Sequence, residues 1–156
     1  MTTKTLISSA IAAGALAIAY TGAAQAAEPT VVELTQTACQ FIESENGVDH
    51  RFKTSKADDC KAINKTSGDE RAVKAKTLVL KPGSYVFRVQ NRDVPYELGF
   101  WLRGSGVLGR ATLPSVSGGG LTTGKTQDYK VDLVAGEYLY SCPLNPTLDY
   151  KIVVKS

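Results

Sequence analysis

Three cysteines and one histidine are the side chains of this 156-residue sequence best suited to redox or metal chemistry. As thiolates, Cys39, Cys60 and Cys142 could bind Cu(I) or Zn²⁺. His50 could add an imidazole ligand to them. None of their spacings matches the C-x-x-C motif of compact thiolate sites. A single histidine, and a methionine only at position 1, exclude sites that need two imidazoles or a methionine of the mature chain.

The first 26 residues have the features of a secretory signal peptide. Lys4 gives a positive start, residues 6–20 are uncharged and rich in Ala, Leu and Ile, and residues 24–26 (AQA) form a small-x-small cleavage site. We therefore expect cleavage after Ala26 and a bacterial protein that is periplasmic or secreted. After cleavage it is not expected to be an integral membrane protein.

Export also bears on the cysteines. Oxidising compartments favour disulfides over reduced thiolates. Three cysteines in such a compartment predict one disulfide and one free thiol.

Residues 119–126 (GGLTTGKT) match the nucleotide-binding P-loop pattern G-x-x-x-x-G-K-[ST]. A true P-loop is followed by a helix whose N-terminus holds phosphate. Here Tyr129, Val131 and Leu133 alternate with polar residues, which is the period of a strand. We therefore predict a loop before a hairpin strand, and no nucleotide ligand.

Composition indicates one globular domain with a packed core. The chain is 43% hydrophobic and 21% charged, and its formal net charge is +3. The basic residues are dispersed rather than clustered, so no nucleic-acid partner is predicted.

Short β-branched and aromatic runs separated by turns predict an all-β antiparallel sandwich or barrel. The expected strands are Val31–Thr37, Thr77–Leu80, Ser84–Gln90, Leu98–Leu102, Thr126–Val134, Glu137–Ser141 and Tyr150–Val154, with Val107–Leu113 as a candidate eighth. Residues 117–123 are expected to form a Gly/Thr-rich loop.

Residues 43–76 are polar, charged and poor in aromatics, and we interpret them as an insertion with one or two short helices. A hydroxyl three residues before a carboxylate, Ser55 before Asp58, is typical of a helix start. Residues 64–68 are expected to end that helix.

The segment from Gly136 to Asn145 (GEYLYSCPLN) resembles the C-terminal signature of the cupredoxins, G-x-Y-x-Y-x-C followed by a loop and a strand such as KIVV. Two earlier segments agree with it: residues 80–91 resemble the family's hairpin, and residues 91–97 (NRDVPYE) resemble the loop that carries its first copper histidine. The resemblance implies a cupredoxin-like Greek-key β-sandwich of seven to eight strands over residues 27–156, with residues 43–76 inserted.

The resemblance also implies which residues stand at the copper-ligand positions. Cys142 keeps the thiolate position. Tyr96 takes the place of the first histidine and Asn145 that of the second. The axial methionine position falls near Asp149 or Tyr150. Type 1 copper needs two imidazoles and a thiolate, so we expect no type 1 site and no cofactor, with copper as the alternative.

In the cupredoxin topology, the end of the first strand approaches the copper loops, which would bring Cys39 near Cys142. The insertion starts at the same end and carries His50 and Cys60. We therefore expect a Cys39–Cys60 disulfide, with Cys39–Cys142 as the competing pair. A metal, if present, would be bound by Cys142 with Cys39, Cys60 or His50.

Other candidate binding residues have simpler explanations. His50 lies in the polar segment VDHRFK and is expected to be solvated. Trp101 is expected to be a core or half-buried ring. Arg103 and Arg110 could grip an anion, but solvated loop charges are the expectation.

The sequence limits the possible functions mainly by excluding other classes. We expect a periplasmic binding or interaction module whose partner is another periplasmic or envelope protein. The alternative is a copper-binding or electron-transfer protein with an atypical cysteine site. No catalytic residue is predicted, because no base or paired carboxylate accompanies Cys142 in a recognisable motif. We therefore do not expect an enzyme.

Overall fold

A computed structural model describes residues 28–156, so the predicted signal peptide lies outside the described residues. The described part contains nine strands, two α-helices and one 3-10 turn. The strands are β1 (Thr30–Thr37), β2 (Gln40–Phe41), β3 (Leu78–Leu80), β4 (Gly83–Asn91), β5 (Leu98–Gly104), β6 (Val116–Leu121), β7 (Thr126–Leu133), β8 (Gly136–Ser141) and β9 (Tyr150–Val154). The 3-10 turn is Glu43–Glu45, and the helices are α1 (Ala57–Lys74) and α2 (Gly106–Thr112).

The strands form two sheets, which confirms the predicted β-sandwich. One sheet has the order β2-β1-β4-β7 and the other β3-β9-β8-β5-β6. The pairs β1/β4 and β3/β9 are parallel, and the remaining pairs are antiparallel. No helix within residues 28–156 is long and apolar enough to span a membrane.

The core between the sheets is rich in aromatic rings. In β4 the alternating residues Tyr85, Phe87 and Val89 are buried, as their period of two predicts. Phe100 of β5 is central: its ring centroid lies 5.5 Å from that of Phe87 and 5.0 Å from that of Tyr129. Such ring pairs add stability beyond the burial of their area.

Two predictions near α2 are wrong. Residues 107–113 were expected to form a strand, but α2 occupies most of them and lies against the end of β5. A Cβ atom at Gly104 would lie only 2.1 Å from the carbonyl oxygen of Gly109. The absence of a side chain at Gly104 therefore lets β5 and α2 approach closely, which the residue pattern of a strand does not predict.

The expected loop at residues 117–123 lies largely in β6, because pairing with β5 overrides the low strand propensity of its glycines.

The insertion contains one long helix. α1 begins where predicted, because the Asp59 carboxylate accepts the backbone N–H groups of Ser55 and Lys56 at 2.7 and 3.1 Å. Its predicted end at residues 64–68 is wrong, since α1 runs through Gly68 to Lys74. Gly68 packs against the loop after β8, where a Cβ atom would lie 3.3 Å from Leu148 Cδ2. Tertiary contact therefore overrides the helix-breaking tendency of this glycine.

Candidate functional site

One end of the sandwich collects the residues that the resemblance places at copper-ligand positions. We call it the loop pole and define it by residues 37–39 at the end of β1, residues 91–97 between β4 and β5, and residues 142–148 between β8 and β9. The buried Asn91 folds the second of these segments. Its side-chain nitrogen donates to the carbonyl oxygens of Val94 and Tyr96. This amide therefore fixes the loop from which Tyr96 projects.

Asn145 is the centre of the loop pole. Its side chain is fully buried, and both ends of the amide are used. Oδ1 accepts the backbone N–H of Cys39 at 3.0 Å, and Nδ2 donates to the Thr37 carbonyl oxygen at 2.8 Å. The Tyr96 hydroxyl lies 3.1 Å from the same Oδ1. Asn145 therefore ties the three segments of the pole together by hydrogen bonds.

Tyr96, at the first histidine position, is a neutral phenol held in place by neighbours. Its hydroxyl also lies 3.2 Å from Thr54 Oγ1, in the segment leading to α1. Burial raises the pKa of the Tyr96 hydroxyl above its ordinary value of 10.0. The phenolate that would bind a metal strongly is thus disfavoured.

Cys142 is the free cysteine, and it is fully buried. A register shift between Leu98 and Phe100 leaves Gly99 outside the regular ladder, and the Gly99 N–H donates to the Cys142 sulfur at 3.3 Å. Burial raises the pKa of the thiol, although this N–H and those of the following loop partly oppose the rise. The group is therefore a thiol rather than a thiolate at neutral pH.

The structure contains the predicted disulfide between Cys39 and Cys60, so the competing Cys39–Cys142 pair is wrong. Because their sulfurs are bonded to each other, Cys39 and Cys60 provide no thiolate ligands. The sulfur of Cys60 lies 3.2 Å from Asn145 Oδ1, so the disulfide packs directly against the centre of the pole. Only Cys142 of the three cysteines remains a thiol.

The position assigned to the axial methionine does not belong to the pole. The Tyr150 hydroxyl donates to Glu45 Oε1 at 2.5 Å, and the Asp149 carboxylate accepts from Arg103 at 2.6 Å. Neither side chain hydrogen-bonds with Tyr96 or Asn145. Both residues therefore serve other polar pairs, and their assignment to the degenerate axial position stays a prediction.

His50 is exposed, as the sequence predicts, but two neighbours engage its ring. Its Nε2 lies 2.7 Å from Glu45 Oε2, and its ring stacks on Phe52 with centroids 5.3 Å apart. It does not join the cysteines, so the candidate metal set of Cys142 with Cys39, Cys60 or His50 is not assembled. Within residues 28–156, no group of three or more His, Cys, Asp or Glu side chains is arranged to hold a metal ion.

Glu45 is the hub of a second buried polar cluster, which the sequence did not reveal. Arg71 of α1 donates to both of its carboxylate oxygens, at 2.9 and 2.6 Å. Burial alone would raise the pKa of Glu45, but hydrogen bonds from Arg71, Tyr150 and His50 outweigh it and hold the pKa below 4.5. Arg71 also donates to the Cys39 carbonyl oxygen at 3.0 Å. The cluster therefore fastens α1 to the sandwich beside the disulfide.

The fit of copper to the loop pole can be judged from these contacts. Type 1 copper takes two imidazoles and a thiolate. Tyr96 and Asn145 have neither imidazole chemistry nor free donor atoms facing a common ion, because they bond to each other and to the backbone. Cys142 is a buried thiol hydrogen-bonded to Gly99. The residues present do not fit a type 1 copper ion.

Beside the loop pole lies an open, mostly apolar groove of about 480 Å³. Its floor is the glycine-rich pairing of β5 with β6, and its walls are Trp101, Pro143 and Leu144. The guanidinium of Arg103 lies 4.0 Å from the Trp101 ring centre and stacks over it. Arg103 was expected to be a solvated charge, which is wrong: it is buried and paired with Asp149.

The segment that matches the P-loop pattern has a different structure. Gly119 and Gly120 lie in β6, which ends at Leu121, and Thr126 starts β7, so a strand follows the turn as predicted. The Gly120 N–H donates to Glu97 Oε1 at 2.8 Å. An amide that a P-loop would offer to phosphate is therefore already bound by a carboxylate of the chain.

No protein-family model matches this chain, and no curated protein sequence matches it. Solved structures that resemble it include auracyanins and amicyanin variants. Auracyanin B aligns over 83% of this chain and 92% of its own, with 12% identity and a TM-score of 0.51. Auracyanin A, a "blue" copper protein of Chloroflexus aurantiacus, aligns over 82% and 100% with 13% identity and a TM-score of 0.48. The reduced Cu(I) form of an amicyanin variant aligns over 85% and 87% with 20% identity and a TM-score of 0.37. The likeness to auracyanin B shows that the chain has a cupredoxin-like fold.

Proposed function

We propose that this chain is an exported, periplasmic interaction module: a cupredoxin-like fold without a type 1 copper site, which binds another envelope protein through its loop pole. The observation that carries the proposal is the bonding of Asn145. Its amide joins Thr37, Cys39 and Tyr96 where the resemblance places an imidazole ligand. These hydrogen bonds hold the loops together at the place where a metal ion would otherwise join them.

The apolar groove supports a docking role for the same end of the molecule. Leu144 is 45% exposed although it lies in the loop that Asn145 and Thr147 hold in place. Exposed apolar surface on a rigid frame is typical of protein-binding sites. Because Gly99, Gly118 and Gly119 leave the floor without side chains, the groove suits an apolar side chain of the partner.

The proposal assigns no catalytic activity. The buried thiol of Cys142 has no base among its hydrogen-bond partners, and His50 is engaged by Glu45. A nucleophilic cysteine needs a thiolate-forming environment. These contacts support a binding role rather than an enzymatic one.

The metal content of the mature protein, purified after export without chelator and then offered copper, tests the first half of the proposal. We expect no stoichiometric metal. One copper per chain that is lost in Cys142→Ser would overturn the proposal and support the alternative, an atypical cysteine-based copper or electron-transfer site. Zinc bound in the same proportion would overturn it as well.

Photo-crosslinking in the bacterial envelope tests the docking surface. A photoreactive residue at Leu144 is expected to give a discrete adduct with one envelope protein. The matched control is Val31, which is 44% exposed and lies at the opposite end of β1. Equal adducts at both positions, or none at Leu144, would contradict docking at the loop pole.

A further inference from the structure

Helix α1 is attached to the sandwich by unusually few side chains. Of its 18 residues only Cys60, Gly68 and Arg71 are buried. A surface helix is ordinarily held by an apolar stripe along one face. In α1 the apolar part of this face is short, since only Cys60 and Ile63 pack there against Ala38 and Cys39, so its attachment depends on a small number of specific contacts.

Those contacts lie at the loop pole. Cys60 forms the disulfide with Cys39, and Asn64 Nδ2 donates to the Pro146 carbonyl oxygen at 2.6 Å. Gly68 packs on Leu148. α1 therefore rests on the segment that follows Cys142 in the chain.

The remaining anchor is the ion pair between Arg71 and Glu45. Buried ion pairs contribute little net stability, because desolvation offsets their attraction. The disulfide, in contrast, removes the freedom of a chain segment whose ends are 21 residues apart. The disulfide is thus the covalent anchor of α1, beside the non-covalent contacts of Asn64 and Arg71.

We propose that the Cys39–Cys60 disulfide is a redox latch that keeps α1 docked over the loop pole. A dithiol reductant transfers two electrons to it: the sulfur–sulfur bond breaks, each cysteine gains a proton, and the dithiol closes to its own disulfide. Release of α1 then uncovers residues 145–148 and loosens the loop that begins at Cys142, whose thiol lies in the core between the sheets. Both bridged cysteines are buried. Exchange therefore follows transient opening of the first turn of α1, in which Cys60 lies.

This inference rests on the proposed function for its consequence, since the latch regulates the same pole that docks a partner. Reduction would change the surface presented there from a closed, hydrogen-bonded face to an open one. The test below needs no partner and no metal, so its failure is separate from a failure of docking or of the metal-free assignment.

The test measures hydrogen exchange of α1 and alkylation of Cys142 by iodoacetamide in two forms of the full mature chain. One is the oxidised wild type, and the other is Cys39→Ser/Cys60→Ser, which cannot close the latch. In the double variant we expect α1 amides to lose protection while β4, β5 and β8 keep theirs. We expect Cys142 to react on the order of a hundredfold faster, the factor that corresponds to closing a loop of this length.

Two controls keep the result unambiguous. Cys142→Ser in the double-variant background must abolish the labelling, which assigns it to this thiol. Wild type treated with dithiothreitol must reproduce the exchange pattern of the double variant, which excludes an effect of the serines. Unchanged protection of α1 with an unreactive Cys142 would overturn the latch. Loss of protection throughout both sheets would overturn it too, because the disulfide would then be a general staple of the fold.

Discussion

The Tyr96 hydroxyl lies 3.1 Å from the Asn145 side-chain oxygen, and the two residues come from loops 49 positions apart in the chain. Both side chains stand where the cupredoxin resemblance places imidazoles. Because the Asn145 oxygen can only accept and the hydroxyl can donate, the pair is a hydrogen bond between neutral groups. The loops that a metal could bridge are therefore joined directly.

Substitution Asn145→Ala is expected to lower the free energy of unfolding by about 3 kcal/mol. It would leave the buried Cys39 N–H and Thr37 carbonyl without partners, and each such group costs roughly 1–3 kcal/mol. Urea denaturation of the mature chain measures the change. The matched control is Gln90→Ala, an exposed amide whose loss should change stability little. Equal effects of the two substitutions would contradict a central role for Asn145.

Glu45→Gln is expected to cost about 3 kcal/mol at pH 7, since it leaves the buried Arg71 without its carboxylate partner. The pKa of Glu45 lies below its ordinary value of 4.5 in the folded protein. The carboxylate therefore stabilises the fold fully above pH 4.5, and this contribution is lost as pH falls through the lower folded pKa.

The free energy of unfolding should accordingly fall between pH 5 and pH 3 more steeply in the wild type than in Glu45→Gln. Urea titrations at several pH values measure both slopes. Glu70→Gln serves as the control, because Glu70 pairs with Lys74 on the exposed face of α1. Parallel pH profiles for wild type and Glu45→Gln would show that the Glu45 charge does not matter to folding.

One thiol per chain should be detectable, and only after unfolding. Cys142 is buried and its pKa is raised, so the native oxidised protein is expected to be inert to Ellman's reagent at pH 8. In urea the same assay should give one thiol, and Cys142→Ser should give none. Three thiols in urea without reductant would mean that Cys39 and Cys60 are not bridged.

Gly104→Ala is expected to destabilise the protein by about 3 kcal/mol, because its Cβ would overlap the Gly109 carbonyl oxygen in α2. Gly119→Ala is the matched control. Its Cβ would come within 3.0 Å only of the end of the flexible Glu97 side chain, which can move aside. Thermal unfolding of both variants measures the difference, and similar melting temperatures would argue against the close approach of β5 and α2.

Much of the sandwich could be predicted from local pattern. The period of two in β4 and β7 and the turn residues between strands identify both elements, since one face of each strand must be apolar to reach the core. Local pattern did not predict α2 or β6. Both depend on backbone contacts at glycines, which leave no side-chain signature in the sequence.

Residues of the candidate site could be predicted from the sequence only where they lie in a recognisable motif. Tyr96, Asn145 and Cys142 stand out by their place in the cupredoxin signature. The Glu45 cluster does not, because it forms only after α1 docks and brings Arg71 across 26 positions of the chain. Polar pairs made by tertiary docking have no fixed spacing in sequence, so neither His50 nor Arg71 could be assigned a partner.

The sparse attachment of α1 has a consequence for recognising distant relatives. Cys60, Gly68 and Arg71 are 8 and 3 positions apart, and a helix brings such positions to one side. Apart from the capping Asp59 and the hydrogen-bonded Asn64, the exposed positions of α1 are free to change, since only their solubility and helix propensity are constrained. A relative would therefore be identified by a cysteine, a small residue and an arginine at this spacing, together with a glutamate near the end of its second strand, even if the rest of the helix shared no residue with this one.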